Sequence, residues 1–133
     1  MRARTWGLIG AAAISACAPR GEKQAGSLEQ GRQYTAWLYG SQYEKLWDRF
    51  SPEMRESFGS VADLATFAGR AVTRLGPERR AIDERVDEVA PFRVYQRTAA
   101  FDTSQRPVLI EWSLANDGEV TGLVVRPVPE TDR

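Results

Sequence analysis

The hydrophobic period of the chain changes at Gly76-Pro77, and this change limits the fold more than any other feature. Before it, apolar residues recur at the spacing of an amphipathic helix. After it, they alternate with polar residues, as in a strand with one buried face. Helices followed by consecutive strands predict an α+β domain, in which N-terminal helices pack on a curved, antiparallel, four-stranded sheet.

Serine caps divide the first half of the domain into predicted helices. One apolar stripe has the i, i+3, i+4, i+7 spacing of an amphipathic helix and contains Tyr43, Leu46, Trp47 and Phe50. Trp47 lies in the middle of this stripe, so we expect it to be largely buried. The predicted helices run from Ser27 to Gly40, from Ser41 to Phe50, from Ser51 to Gly59 and from Ser60 to Gly76.

The second half predicts four strands, separated by residues that favour turns. Pro91 separates the first two strands, and Asn116-Asp117-Gly118 is a hairpin signal between the last two. The predicted strands span residues 79–89, 92–101, 108–114 and 120–126.

The N-terminus, "MRARTWGLIGAAAISAC", has the order of a secretory signal peptide. Basic residues come first, an apolar run follows, and small residues precede the chain's single cysteine. The next residues, "APRGEKQAGS", contain no large apolar side chain and predict a flexible tether. We therefore divide the chain into a signal (1–16), a cysteine with tether (17–27), a domain (28–129) and a C-terminal tail (130–133).

The end of this signal resembles that of bacterial lipoproteins, in which an aliphatic residue and two small residues precede a cysteine. Ile14-Ser15-Ala16-Cys17 fits all four positions. The resemblance implies cleavage between Ala16 and Cys17, and a diacylglyceryl group on the Cys17 sulfur that inserts into membrane lipid. It places the protein in the cell envelope, outside the cytoplasm, and Ala18 favours the outer membrane in cells that have two. The alternative is an incidental cysteine behind an ordinary secretory signal.

Composition argues against several classes of function. Basic and acidic residues both number 18, so no charge excess points to nucleic acid as a partner. Histidine is absent, and one cysteine cannot form an internal disulfide or a cysteine-based zinc site. We expect no metal and no cofactor; the oligomeric state is not predicted.

The domain resembles the NTF2-like, or cystatin-like, superfamily. The order of helices and strands carries the broad match. Residues 39–58, "YGSQYEKLWDRFSPEMRESF", and 117–129, "DGEVTGLVVRPVP", resemble small domains of unknown function that precede bacterial serine hydrolases. The catalytic patterns S-x-x-K and G-x-S-x-G do not occur, so no hydrolase activity follows from the resemblance.

Aromatic side chains are the candidates for a ligand pocket, because domains of this superfamily often have a cavity between sheet and helices. The alternative is that the rings fill the core, which their helical spacing favours. The candidates are Tyr34, Trp37, Tyr43, Trp47, Phe50, Phe67, Tyr95 and Trp112.

Two charged groups have a functional and a structural interpretation. Asp83, Glu84, Asp87 and Glu88 could bind a hard cation, but they lack a calcium-loop pattern and fit a solvated edge strand. A second set could form a basic patch for anionic lipid or peptidoglycan, although cross-strand pairing with Glu84, Glu111 or Glu119 is the favoured use. That set is Arg93, Arg97, Arg106 and Arg126.

Three functions remain open from the sequence. The leading hypothesis is a non-catalytic, membrane-anchored module that binds a small apolar ligand or another protein. The second is an isomerase or dehydratase that uses Tyr95 with Asp63 or Glu111. The third is an accessory subunit of a separately encoded envelope serine hydrolase. An apolar, unpaired cavity would favour binding, and a buried carboxylate facing a tyrosine would favour the enzyme.

Overall fold

A computed structural model describes residues 20–129 of the chain. The signal, the cleavage position Ala16–Cys17 and the tail 130–133 lie outside these residues. Four helices precede four strands, so the predicted α+β class is confirmed. The elements are α1 (Arg20–Tyr39), α2 (Tyr43–Arg49), α3 (Pro52–Phe58), α4 (Val61–Leu75), β1 (Glu78–Val89), β2 (Phe92–Phe101), β3 (Val108–Leu114) and β4 (Val120–Pro127).

Local capping chemistry defines α3 and α4 as predicted. The Ser51 hydroxyl oxygen accepts a hydrogen bond of 3.1 Å from the Met54 amide, and Ser60 accepts one of 3.1 Å from Asp63. Gly59 and Gly76 follow the two helices with φ angles of 93° and 68°, which glycine adopts without strain.

Two predicted caps are wrong. Ser27 lies inside α1 (Arg20–Tyr39), so this helix includes part of the predicted tether. Ser41 has a φ of 59°, and the cap of α2 is Gln42, whose side chain makes no capping bond. A helix held in place by its packed C-terminal half extends upstream through any residues that tolerate helix, and Glu, Lys, Gln and Ala do so readily.

The sheet is antiparallel, open and curved, with the strand order β1-β2-β3-β4. The strands therefore neighbour one another in chain order, and β1 and β4 form its edges. A two-residue turn with a cis peptide bond before Pro91 joins β1 to β2. Among the described residues, no helix is both long and apolar enough to cross a bilayer.

One face of the sheet carries the core. Every second residue of β3 is buried there, whereas the residues between them are only partly covered. Helix α1 lies close to this face at Gly31, where an added Cβ would be 2.1 Å from Cγ of Tyr95. Only a residue without a side chain permits this approach of helix to sheet.

Trp47 is partly buried and packs against the core, which agrees with the expectation that most of its surface is covered, although it is not among the fully buried residues. Its neighbour Leu46 is fully buried, and Phe50 is 2% exposed. Helix α2 has only seven residues and directs Leu46 at the core. The Trp47 ring lies at the side of the helix, 5.9 Å from the Arg55 guanidinium, where a cation–π contact forms.

Candidate functional site

The aromatic candidates are distributed between core and surface and do not line one common cavity. Tyr34 and Trp112 are buried with their ring centroids 5.8 Å apart, and Tyr95 and Phe50 are also in the core. Trp37, Tyr43 and Trp47 are partly buried. Phe67 is 44% exposed, on the outer side of α4. The described positions favour core filling for most of these rings.

A cluster of charged and phenolic side chains lies where α1 crosses the edge of the sheet. We call it the concave cluster. Helix α1, strand β1 and strand β2 each contribute two residues, in the pairs Arg32 and Tyr39, Glu78 and Glu84, and Tyr95 and Arg97.

Strand irregularities turn both glutamates of β1 toward the helices. The register shifts between Glu78 and Arg80, and again between Ala81 and Asp83. Because of the second shift, Glu84 pairs with Arg97. Tyr95 precedes Arg97 by two residues on β2 and is buried, so both side chains lie on the same face of the sheet. The bulges explain the imperfect alternation of this segment in the sequence.

Glu84 is held from three sides. Its carboxylate accepts a hydrogen bond of 2.6 Å from Arg32 Nη2, one of 3.0 Å from Arg97 Nη1 and one of 2.6 Å from the Tyr95 hydroxyl. The Glu84 side chain is only 16% exposed. Bonds from two guanidinium groups to a mostly covered carboxylate are strong and favour its charged form.

Glu78 occupies the second half of the cluster. It accepts a 2.6 Å hydrogen bond from Arg97 Nη2 and a 2.8 Å bond from the Tyr39 hydroxyl. Arg97 therefore bridges both glutamates, and Arg32 adds a second cation at Glu84. Two cations and two anions leave the concave cluster with no net charge.

The surroundings move the pKa values of Glu84, Tyr95 and Tyr39 further from neutral pH. The hydrogen bond from Arg32, with support from Tyr95 and Arg97, lowers the pKa of Glu84. Burial and the bond to Glu84 raise the pKa of Tyr95 to about 12. Burial and the bond to Glu78 also raise the pKa of Tyr39. Near pH 7 the cluster is therefore a set of permanent ion pairs and neutral phenols.

A cleft of about 350 Å³ opens beside the cluster. Arg32, Thr35, Ala36 and Tyr39 line one wall, because residues at this spacing share a face of α1. Tyr95 and Arg97 line the other wall, on the sheet. The guanidinium groups in these walls are bonded to Glu84 and Glu78, so the cleft is polar but carries no excess charge.

Sequence reasoning found only part of this site. Cross-strand pairing of Arg97 with Glu84 is confirmed. The predictions did not include Arg32, Tyr39 or Glu78. The contact between Arg32 and Glu84 joins residues 52 positions apart, so no local pattern could have indicated it.

The candidate catalytic groups do not come together. Tyr95 is paired with Trp112 on the helix-facing side of the sheet, whereas Glu111 is opposite Gln96 and accepts a 2.7 Å hydrogen bond from its amide. Adjacent residues of a strand point to opposite faces, so Glu111 lies on the other side of the sheet from the Tyr95 ring. Asp63 is at the start of α4, bonded to Ser60. The acid partner of Tyr95 is Glu84.

The acidic group and the arginine group that the sequence analysis considered lie in different parts of the fold. β1 is an edge strand, and Asp87 forms an exposed ion pair of 3.3 Å with Arg85, as the structural interpretation expects. That interpretation is wrong for Glu84, which is mostly covered within the concave cluster. Within residues 20–129, no group of three or more acidic or cysteine side chains is arranged to hold a metal ion. The alternative of a basic patch loses Arg97 to the concave cluster, and Arg93 lies 3.5 Å from the Asn116 side chain.

The fold and the cluster together define an α+β domain. Aromatic and aliphatic side chains form its core, and an ion-paired cleft lies at one edge of its sheet. No family model, curated protein or solved structure matches the chain.

Proposed function

We propose that the protein is a lipid-anchored envelope lipoprotein whose NTF2-like α+β domain acts as a non-catalytic binding or accessory module. The observation that carries the anchor is the box Ile14-Ser15-Ala16-Cys17 at the end of a basic and then apolar N-terminus. Several acyl chains on one cysteine hold a small domain at a bilayer, whereas a single chain binds marginally.

The chemistry of the concave cluster supports a role without catalysis. A general base that operates near pH 7 needs a pKa raised toward that value. Arg32 and Arg97 act on Glu84 in the opposite direction, and the pKa of Tyr95, at about 12, makes it a weak acid. The cleft instead presents a polar surface held in place by these ion pairs, which suits recognition of a ligand or of a protein segment.

The anchor is tested by mass spectrometry of the mature N-terminus and by membrane fractionation. We expect a diacylglyceryl-modified Cys17 as the first residue, and loss of membrane association in Cys17→Ser. Ser15→Ala is the matched control, since it keeps a small residue in the box. An unmodified thiol on Cys17 in the wild-type protein contradicts the proposal.

The accessory role is tested by co-purification from detergent-solubilised membranes. A serine hydrolase that is retained by the wild-type domain, and released by Arg97→Gln, would identify the partner and place it at the concave cluster. Arg80→Gln, on the exposed part of β1, is the control for loss of one positive charge.

The second candidate is an isomerase or dehydratase, and one observation favours it. A tyrosine faces a mostly covered carboxylate, with Tyr95 Oη and Glu84 Oε2 2.6 Å apart, beside a cleft. A screen with steroid-like enones and hydroxy-ketones tests this function. Turnover that Glu84→Gln abolishes, and that Glu111→Gln on the opposite sheet face leaves intact, would replace the binding role with catalysis.

A further inference from the structure

A second cavity lies beside β4, the sheet edge opposite the β1 edge that carries the concave cluster. It is a groove of about 480 Å³ between α4 and edge strand β4, within the size range of ligand sites, roughly 300–1,000 Å³. Its apolar lining comes from both elements and from the end of β3, and consists of Phe67, Ala71, Leu75, Val108, Val125 and Pro127.

The groove forms because two neighbouring faces of α4 have different environments, one in the core and one at the surface. Leu64 and Ala68 are buried in the core. Phe67 and Ala71, on the neighbouring face, line the groove, and Phe67 remains 44% exposed. The exposed ring of Phe67 therefore adds apolar surface to the wall of the groove.

Positive charge borders the apolar floor along α4. Arg70 and Arg74, one helical turn apart on α4, line the groove, and Arg126 lines it from β4. None of these three guanidinium groups forms a hydrogen bond or an ion pair with any residue in the range 20–129. Among the described residues of the lining, Asp63 is the one that is acidic, two turns before Arg70.

We propose that this groove binds a fatty acid, with the acyl chain along the floor and the carboxylate at Arg70 and Arg74. An apolar floor bordered by unpaired guanidinium groups complements a single-chain amphiphile with an anionic head, because guanidinium binds carboxylate through paired hydrogen bonds. Asp63 opposes a doubly charged phosphate more than a singly charged carboxylate, which selects the fatty acid. This site is separate from the concave cluster and does not depend on the anchor at Cys17.

The experiment is calorimetric titration of the full chain, made in a cell-free system without lipidation, with sodium dodecanoate below its micelle concentration. We expect one saturable site per chain. Each buried methylene tightens binding by about fourfold, so decanoate should bind more weakly than dodecanoate. Dodecyltrimethylammonium, with the same chain and a cationic head, should not bind in the groove, and dodecyl phosphate should bind less tightly than dodecanoate.

Substitutions locate the site. Arg70→Gln combined with Arg74→Gln should weaken dodecanoate binding by about fivefold, as expected for two solvent-accessible charge pairs. The matched control, Arg79→Gln combined with Arg80→Gln, removes two exposed arginines from the opposite sheet edge and should leave the affinity unchanged. Phe67→Ser tests the apolar floor of the groove. The melting temperature of this variant is measured in parallel, because the ring centroids of Phe67 and Phe58 are 5.4 Å apart and the substitution removes that contact.

Several results overturn the proposal. These are no saturable binding, equal binding of the cationic surfactant, tighter binding of dodecyl phosphate, or equal loss in the groove and control double variants. The arginine variants are confined to exposed side chains, so a folding defect in Phe67→Ser does not remove the test.

Discussion

Gly31 of α1 lies directly against the ring of Tyr95 on β2. A Cβ built on Gly31 would be 2.1 Å from Cγ and 2.3 Å from Cδ2 of Tyr95, closer than any real contact. Tyr95 is fully buried and its hydroxyl reaches Glu84, so the ring cannot move aside without disturbing the concave cluster. The absence of one side chain thus determines how closely α1 approaches the sheet.

Gly31→Ala should therefore destabilise the domain, although alanine is the better helix former. Overpacking of a filled core costs about 1–3 kcal/mol, which exceeds the gain of about 0.5–1 kcal/mol in helix propensity. Gly26→Ala, in the same helix with nothing within 4 Å of the added Cβ, should stabilise by about that gain. Urea unfolding measures both. Equal effects at the two positions would contradict the close packing of Gly31.

A hydrogen-bond chain in the core should resist removal of its middle member. Trp112 Nε1 donates to Thr35 Oγ1 at 3.0 Å, and the Thr35 hydroxyl donates to the Gly31 carbonyl at 2.7 Å. Thr35→Val keeps the shape but leaves the buried indole N–H unpaired, at a cost of about 1–3 kcal/mol. Thr35→Ser should retain most of the stability.

The matched control for this chain is Thr66→Val. Thr66 makes the same bond to a carbonyl one turn earlier, that of Ala62, but on an exposed face and with no indole donor. Thermal unfolding of the three variants should rank Thr35→Val as the least stable. A melting temperature for Thr35→Val equal to that of Thr66→Val would show that the indole bond contributes nothing.

Adjacent positions of α2 should differ in their tolerance to truncation. Leu46 is fully buried, so Leu46→Ala should cost about 2–5 kcal/mol, through lost transfer free energy and the cavity left behind. Trp47 is only partly buried, and Trp47→Ala should cost less despite the larger side chain removed. Chemical denaturation of both variants checks the order, and the reverse order would place Trp47 in the core.

The stability of the domain should fall in acid through Glu84. Its pKa is lower in the folded protein than the value of 4.5 for a free glutamate, mainly because Arg32 binds the charged form. The stabilisation is present above pH 4.5 and is lost as the pH falls through the lower, folded-state pKa. Unfolding free energies of wild type and Glu84→Gln, measured between pH 7 and acid, should show a smaller acid loss in the variant.

Glu111→Gln is the control, since Glu111 lies on the other face of the sheet with Gln96 as its partner. An acid loss that is the same in wild type and Glu84→Gln would mean that the Arg32 bond does not stabilise the fold. At high pH, the stability of the domain changes with pH in the opposite direction, because the group concerned is a phenol. The pKa of Tyr95, raised by burial to about 12, makes its contribution full below pH 10 and lost as the pH rises through 12.

The sequence by itself determined the features that depend on near neighbours. The spans of β2 and β3 follow from alternation and from the turn residues beside them, and the caps at Ser51 and Ser60 act within one helical turn. Tertiary structure decided that α1 continues upstream of Ser27, because the packed part of the helix, and not a cap at Ser27, stabilises it. It also decided that Glu84 faces inward, because two bulges reset the alternation of β1. The concave cluster and the α4–β4 groove join segments that are far apart in the chain, so they exist only once helices and sheet have packed together.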